Sequence, residues 1–174
     1  MGNSGKLVRM VDRLSKYLII DTREKPKAIQ SILKTFDEYG VRYETSKLLF
    51  GDYMDWNRPG LVIDRKQNIA ELAKNVTGPK KERERFVAEL ERAKAAGAEL
   101  VILVEQNKYK YNGQWRHVER IEDLMLWSSE HTSIQGEKVY RTLAALQYRY
   151  NIIVKFCDRR TTGKEIIKLI YDLQ

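Results

Sequence analysis

The chain has one cysteine, Cys157, among its 174 residues. A single cysteine closes no intramolecular disulfide, so stability must come from an apolar core, which suits a reducing compartment. Cys157 follows Ile152-Ile153-Val154-Lys155-Phe156 and reads as a small core or strand-end residue, not a nucleophile. Histidine is nearly as scarce: His117 and His131 match no metal-ligand spacing and read as surface or core-edge residues. No long apolar run exists; Leu100 to Val104 is far too short to span a bilayer. The opening Met1-Gly2-Asn3-Ser4-Gly5-Lys6 lacks the apolar centre of a signal peptide, and Lys6 stands where a myristoylation pattern needs Ser or Thr. Export and membrane attachment are therefore not expected, and the expected location is cytoplasmic. The glycines build no phosphate-binding loop, and Ser128-Ser129-Glu130-His131 is no nucleophile motif, so nucleotide hydrolysis is not expected. Repeats, low-complexity segments and long linkers are missing as well.

What is present is charge. Lys and Arg number 32 against 24 Asp and Glu, a net charge of +8, with an isoelectric point near 9.5. Such a balance favours a polyanionic partner, although a merely well-solvated basic protein has the same signature. The apolar share of 43% and the length fit one domain with a real core. Residues 1–16 are polar and basic and are expected to be loosely ordered, with a single domain over residues 17–174.

Strand-like runs cluster early. Tyr17-Leu18-Ile19-Ile20 reads as a buried strand ending at Asp21. Pro26 suits a first helical turn; Ile29, Ile32, Leu33 and Phe36 recur at helical spacing, and Gly40 stops that helix. Val41 to Thr45, Lys47 to Tyr53 and Leu61 to Lys66 read as strands, with Asn57-Arg58-Pro59-Gly60 as the turn into the last. Helical patterns follow over Ile69 to Val76 and Pro79 to Ala96, with Phe86, Leu90 and Ala93 on one face. Glu99 to Glu105 is a buried strand, Glu119 to Trp127 a weaker helix, Glu137 to Tyr150 a stronger one, and Ile152 to Phe156 a last strand. Thr161-Thr162 caps a final helix with Ile166, Ile167, Ile170 and Leu173 inward. This order predicts an α/β domain with a mixed sheet covered by helices.

Polar residues stand at the ends of four strand-like runs: Asp21-Thr22-Arg23-Glu24, Asp52, Asp64-Arg65-Lys66 and Glu105-Gln106. Any one carboxylate there can be a solvated strand terminus. Their convergence points to a divalent-metal site with oxygen ligands, because burying unpaired charge is costly. Asp64 and Lys66 are two apart, so in a strand they share a face while Arg65 points away. Two carboxylates and a lysine are what metal-assisted phosphodiester hydrolysis needs.

With these residues in place, the chain resembles the nuclease domain of the XPF/Mus-type structure-selective endonucleases, a branch of the restriction-endonuclease-like PD-(D/E)XK superfamily. That family's pattern is a strand ending in Asp-x-Arg-Glu, then Gly-Asp-x, then Glu-Arg-Lys-x-x-x-Asp. Here it reads Asp21-Thr22-Arg23-Glu24, Gly51-Asp52-Tyr53 and Asp64-Arg65-Lys66. The likeness runs on through Glu105 and Arg141-Thr142-Leu143, covering roughly residues 17–173. It implies a restriction-endonuclease-like mixed central sheet flanked by helices. It also implies a catalytic set of Asp21, Glu24, Asp52, Asp64, Arg65 and Lys66. Asp52 and Asp64 would be the main ligands of Mg²⁺ or Mn²⁺, with a backbone carbonyl near Arg65. Asp21 and Glu24 would hold a second metal or position water; Lys66 would be the catalytic lysine; Arg65 would orient a carboxylate or support the fold. The sequence departs from the pattern at Asp64, where the family has glutamate. It departs again at Ala70, where the trailing acidic residue is due and the nearest is Glu71. The tandem helix-hairpin-helix domain of larger relatives is not expected within these 174 residues.

Two further features bear on nucleic acid. Lys108-Tyr109-Lys110-Tyr111-Asn112-Gly113-Gln114-Trp115 reads as a hairpin with an Asn-Gly turn. Lys108, Tyr109, Lys110, Tyr111 and Trp115 are candidate contacts for phosphates and an unpaired base, or else pack on the domain. Lys80-Lys81, Arg83, Arg85 and Arg92 are interleaved with Glu82, Glu84, Glu89 and Glu91, which reads as a solvated, self-paired helix face.

The expectation is a divalent-metal-dependent endodeoxyribonuclease acting on branched, flapped or partly single-stranded DNA and leaving a 5′-phosphate and a 3′-hydroxyl, with a homodimer or a protein partner open. A nucleoid-associated enzyme of prokaryotic or phage origin fits the size. Two rivals are a catalytically inactive nucleic-acid-binding module and an RNA-processing nuclease with the same core. The presence of Asp52, Asp64 and Lys66 argues against the first. The sequence does not separate DNA from RNA, because the catalytic core touches phosphate.

Overall fold

The computed structural model describes residues 16–171. Residues 1–15 of the basic N-terminal segment, and Leu173, expected on the final helix, lie outside the described residues. A six-stranded sheet forms the centre, in the order β2-β1-β3-β4-β5-β8. The strands are β1 (Tyr17–Asp21), β2 (Arg42–Ser46), β3 (Tyr53–Asp55), β4 (Arg58–Lys66), β5 (Glu99–Val104) and β8 (Ile153–Phe156). β3 runs antiparallel to both β1 and β4, and the other neighbours are parallel, so the sheet is mixed. β6 (Lys108–Tyr111) and β7 (Gln114–His117) form a separate hairpin.

Alternation along the central strands sorts two cores. On β4 and β5, Val62, Ile102 and Val104 face α2 (Ile69–Thr77), α3 (Lys80–Ala95) and α4 (Gly136–Tyr150), whose Leu72, Phe86, Leu90 and Leu143 join them. Ile63, Val101 and Leu103 face the other way, onto α1 (Gln30–Glu38) and α5 (Thr162–Tyr171) through Ile32, Phe36, Ile166 and Ile167. Helices thus cover both faces, as buried parallel strands require. Cys157 sits in the second core beside the Thr162 hydroxyl, and burial pushes its thiol up to about 11. None of the described helices is long and apolar enough to cross a membrane.

Three expected elements differ. Lys47 to Tyr53 is not a continuous strand: the chain bends through Leu49–Asp52, and β3 begins only at Tyr53. Two of its backbone donors go to side chains instead of a ladder. Leu48 N–H donates to Asp21 Oδ2 (2.7 Å) and Gly51 N–H to Glu89 Oε1 (2.8 Å). The turn placed at 57–60 is a tighter one at Trp56-Asn57, and β4 already starts at Arg58. Pro59 is tolerated there because the register against β3 jumps from Val62↔Met54 to Arg58↔Asp55, leaving it no ladder bond to make. The helix expected over Glu119 to Trp127 shrinks to one 3₁₀ turn, Ile121–Leu124. There the Asp123 carboxylate takes the Glu119 and Arg120 N–H groups, and the chain leaves into a loop closed by a Ser128↔Gln135 bridge.

Candidate active site

β1, the bend before β3, and β4 end at the same side of the sheet. Gly51 makes that approach possible. Its φ is +66°, and a Cβ there would collide with Cγ1 of Val62 and stand 3.1 Å from the Ile63 carbonyl oxygen. Asp52 is then locked between two strands: its N–H donates to Ile63 O (2.7 Å) and its carbonyl accepts from Asp21 N–H (2.8 Å). Its side chain accepts from Arg65 N–H at Oδ2 (2.8 Å).

Asp64 and Lys66 share a face of β4. Lys66 Nζ lies 2.8 Å from Asp64 Oδ1 and 2.6 Å from Oδ2, but only the contact to Oδ1 has hydrogen-bond direction. Asp64 Oδ2 is therefore a buried oxygen with no hydrogen-bond partner. Burial would push the Lys66 ammonium down, yet the Asp64 charge, with Asp52 and Glu89, holds it above its ordinary range. Burial pushes the Asp52 carboxyl well above the usual carboxylate range, and the charges of Asp64 and Glu24 push it further. A second buried carboxylate, Asp52, thus stands beside the Asp64–Lys66 ion pair, and the neighbouring charges oppose its ionisation.

Arg65, on the opposite face, holds a buried network together. Its Nε and Nη2 donate to Glu24 (2.9 and 3.1 Å), and its Nη1 donates to Glu105 (2.7 Å). The Tyr53 hydroxyl adds a bond to Glu24 (3.0 Å). The side chains of Arg65 and Glu105 are each 3% exposed and that of Glu24 10%. Burial would lower the guanidinium's pKa, but the charge of Glu24, with Tyr53 and Glu105, raises it.

Asp21 differs from the other acids. Both its oxygens are engaged, by Arg23 and by Leu48 N–H, and it does not line the cleft. Burial raises its pKa, but the Arg23 and Leu48 bonds outweigh that and hold the carboxyl below its ordinary value. Among the described residues, no three His, Cys, Asp or Glu side chains stand in metal-holding geometry. Asp52 and Asp64 line the cleft, whereas Asp21 does not. Asp21 is spent on bracing the bend that carries Asp52.

The cleft, of about 390 Å³, is lined by Glu24, Asp52, Asp64, Arg65 and Lys66 together with Arg85, Glu89 and Arg92 of α3. These helix residues were expected to be a solvated, self-paired face. Their 85-89-92 spacing, one stripe of a helix, was the available signal. Glu89 holds Gly51, and Arg92 Nε donates to Leu49 O (2.8 Å), so α3 fixes the bend from below. Glu71 also lines the cleft, but its carboxylate accepts from Gln67 N–H (2.8 Å) and secures the first turn of α2.

The hairpin splits the residues expected to act together. Tyr109 is buried and its hydroxyl donates to Asp123 O (2.8 Å), so it belongs to the core, not to a contact surface. Tyr111 packs against the same core with Arg116 over its ring. Lys108 and Lys110 instead share the outer face with Trp115, their ammoniums 5.2 and 5.3 Å from its ring centroid. Trp115 is 58% exposed.

Comparison with known proteins agrees with this arrangement. The family model of the ERCC4 domain matches residues 20–170. Among solved structures, XPF from Aeropyrum pernix superimposes with a TM-score of 0.61 at 21% identity, over 88% of this chain and 63% of that one. The same protein in complex with DNA gives 0.61 at 21%, over 90% and 64%. This chain therefore spans under two thirds of that protein's length. No curated protein matches the chain. By the extent of the family match the chain belongs to the ERCC4-domain family, and its fold is that of an XPF-type nuclease domain.

Proposed function

We propose that the chain is a divalent-metal-dependent endonuclease that hydrolyses DNA phosphodiester bonds at branched, flapped or partly single-stranded sites. The observation that carries this reading is the juxtaposition of Asp52, whose ionisation its neighbours oppose, with the buried Asp64–Lys66 ion pair. An oxygen-only donor set suits Mg²⁺ or Mn²⁺, and Mg²⁺ is commonly held by one or two carboxylates plus water and substrate phosphate. The residues present fit that ion, with Asp52 and Asp64 as its holders. When bound, it supplies Lewis acidity at the phosphoryl oxygen and an acidified water.

The chain's own groups do the rest. Lys66 is kept protonated by Asp64, so its ammonium is available to stabilise charge on the scissile phosphate or to orient the attacking water. Arg65 neutralises Glu24 and Glu105 while its backbone N–H fixes Asp52. Arg85 and Arg92 at the cleft wall, and Lys108 and Lys110 on the hairpin, supply cations for the phosphate backbone. The DNA-bound XPF structure supports DNA as the polymer. A site with these three groups converged favours an active enzyme over an inactive binding module.

The test is incubation of the purified protein with labelled flap, fork, junction, linear duplex, single-stranded DNA and RNA, with Mg²⁺, Mn²⁺ or chelator. Metal-dependent cleavage of branched DNA, lost in Asp64→Asn, is expected. Full cleavage in chelator or by Asp64→Asn overturns the metal assignment, and cleavage of RNA alone overturns the substrate.

A further inference from the structure

Beside the cleft lies a second cavity, of about 400 Å³, between the hairpin, the start of α2 and the loop after Trp127. Its walls combine two indoles, Trp115 and Trp127, with the Lys110 ammonium, the Ser128 hydroxyl and the His131 imidazole. Trp127 is buried and fixed at its backbone, donating to Leu124 O (2.9 Å) and accepting from Gly136 N–H (2.7 Å). Gly136 is required there, since a Cβ would strike the Leu124 and Trp127 backbone. Trp115 supplies the exposed opposite wall.

The cavity and the cleft share a partition. Gln67 and Glu71 line the cleft, while their chain neighbours Asn68 and Ala70 line the cavity. Gln106 binds the two sides together: its side chain accepts from Ile69 N–H (3.0 Å) and donates to Lys108 O (3.0 Å). The cavity therefore adjoins the cleft across residues 67–71.

We infer that this cavity receives an unpaired nucleobase of the DNA strand whose phosphate lies in the cleft. This inference rests on the nuclease reading above and adds a determinant for single-stranded character. Aromatic side chains in the lining, with a cation and a few polar groups beside them, are the chemistry that stacks any base without reading sequence. A base still paired in duplex is stacked on its neighbours and is not free to enter. The site thus discriminates through the cost of unstacking.

The experiment measures binding in EDTA, so that no cleavage is needed. The probes are a fluorescein-labelled flap, the same flap with one abasic residue at each position flanking the junction, and a blunt duplex. For the wild type, one or two abasic positions should weaken binding about 5- to 150-fold, the equivalent of one stacked base. Trp115→Ala should lose a similar factor on the intact flap, lose nothing more at the sensitive positions, and bind duplex as before. Trp115→Phe, which keeps a ring, should retain most of the affinity. Thermal melts of both variants should match the wild type, since Trp115 is exposed. An equal loss by Trp115→Ala on flap and duplex overturns the inference, as do abasic losses unchanged by the substitution. Cleavage of branched DNA without position-dependent binding removes the cavity's role and leaves the nuclease. A failure to cleave anything with Mg²⁺ or Mn²⁺ removes the nuclease and leaves the binding data readable.

Discussion

Arg65 is the residue whose removal the structure lets one cost. Arg65→Ala would leave Glu24 and Glu105 facing each other in a buried space, with side-chain exposures of 10% and 3%. Removing one partner of a buried ionic network costs about 3–5 kcal/mol, because the remaining charge is left uncompensated. In a chain of this size about 1 kcal/mol moves the melting temperature by about 2–4 °C, so the expected drop is about 6–20 °C. The combined variant Arg65→Met, Glu24→Gln, Glu105→Gln removes all three charges, so no buried charge is left uncompensated. Its melting temperature should recover most of the loss, while the amide introduced by Glu24→Gln still offers the Tyr53 hydroxyl an acceptor. Calorimetry or denaturant titration of both variants at neutral pH measures the difference. A cost below about 1 kcal/mol for Arg65→Ala, or an equal cost for the combined variant, would refute the account of Arg65 as the neutralising centre.

Asp52→Asn should raise the melting temperature in chelator. The wild-type carboxyl has a raised pKa, so its contribution to stability is intact below the ordinary carboxylate value, about 4, and is lost as pH rises through the raised value. The gain should therefore appear at pH 7 and vanish near pH 3, and added Mg²⁺ or Mn²⁺ should stabilise the wild type but not the variant. Asp21 has the opposite sign: its lowered pKa gives stability above about pH 4 that is lost in acid, so Asp21→Asn should flatten the acid limb of a pH–stability curve. Lys66→Ala should lower the single-turnover cleavage rate about 10²-fold or more while changing DNA affinity less, and a loss confined to affinity would make Lys66 a phosphate anchor only. Gly51→Ala should both destabilise and inactivate, because the positive φ alone costs about 1–2 kcal/mol and the Val62 collision displaces Asp52; cleavage at the wild-type rate would count against that placement.

Much of this site was legible because it depends on local periodicity. The shared face of Asp64 and Lys66, and the opposite face of Arg65, follow from strand alternation alone. So do the two core faces of Val101, Leu103 and Ile102, Val104. What failed depended on partners distant in sequence. The bend over 48–52 reads as a strand until Asp21 and Glu89 take its N–H groups. Glu89 in turn reads as one solvated charge among many on a helix that alternates signs. That Arg23 and Leu48 N–H engage both Asp21 oxygens was likewise not readable from the sequence. The alternation of Tyr109 and Lys110 was visible, but which of the two faced outward depended on Asp123 in the 3₁₀ turn that follows the hairpin.

The bonds that set the catalytic geometry also fix when in folding it comes into being. Leu48 to Asp21 spans 27 positions, Arg65 to Glu24 spans 41, and Arg65 to Glu105 spans 40. None of these contacts forms within a single helix or hairpin, and non-local contacts close late. A partly folded chain can carry every residue of the site and still lack its geometry, since Asp52 is seated only when β1, β3 and β4 are all in register. On the nuclease reading proposed above, cleavage would be a readout of the completed sheet, and in refolding, activity should return no sooner than the last cooperative step.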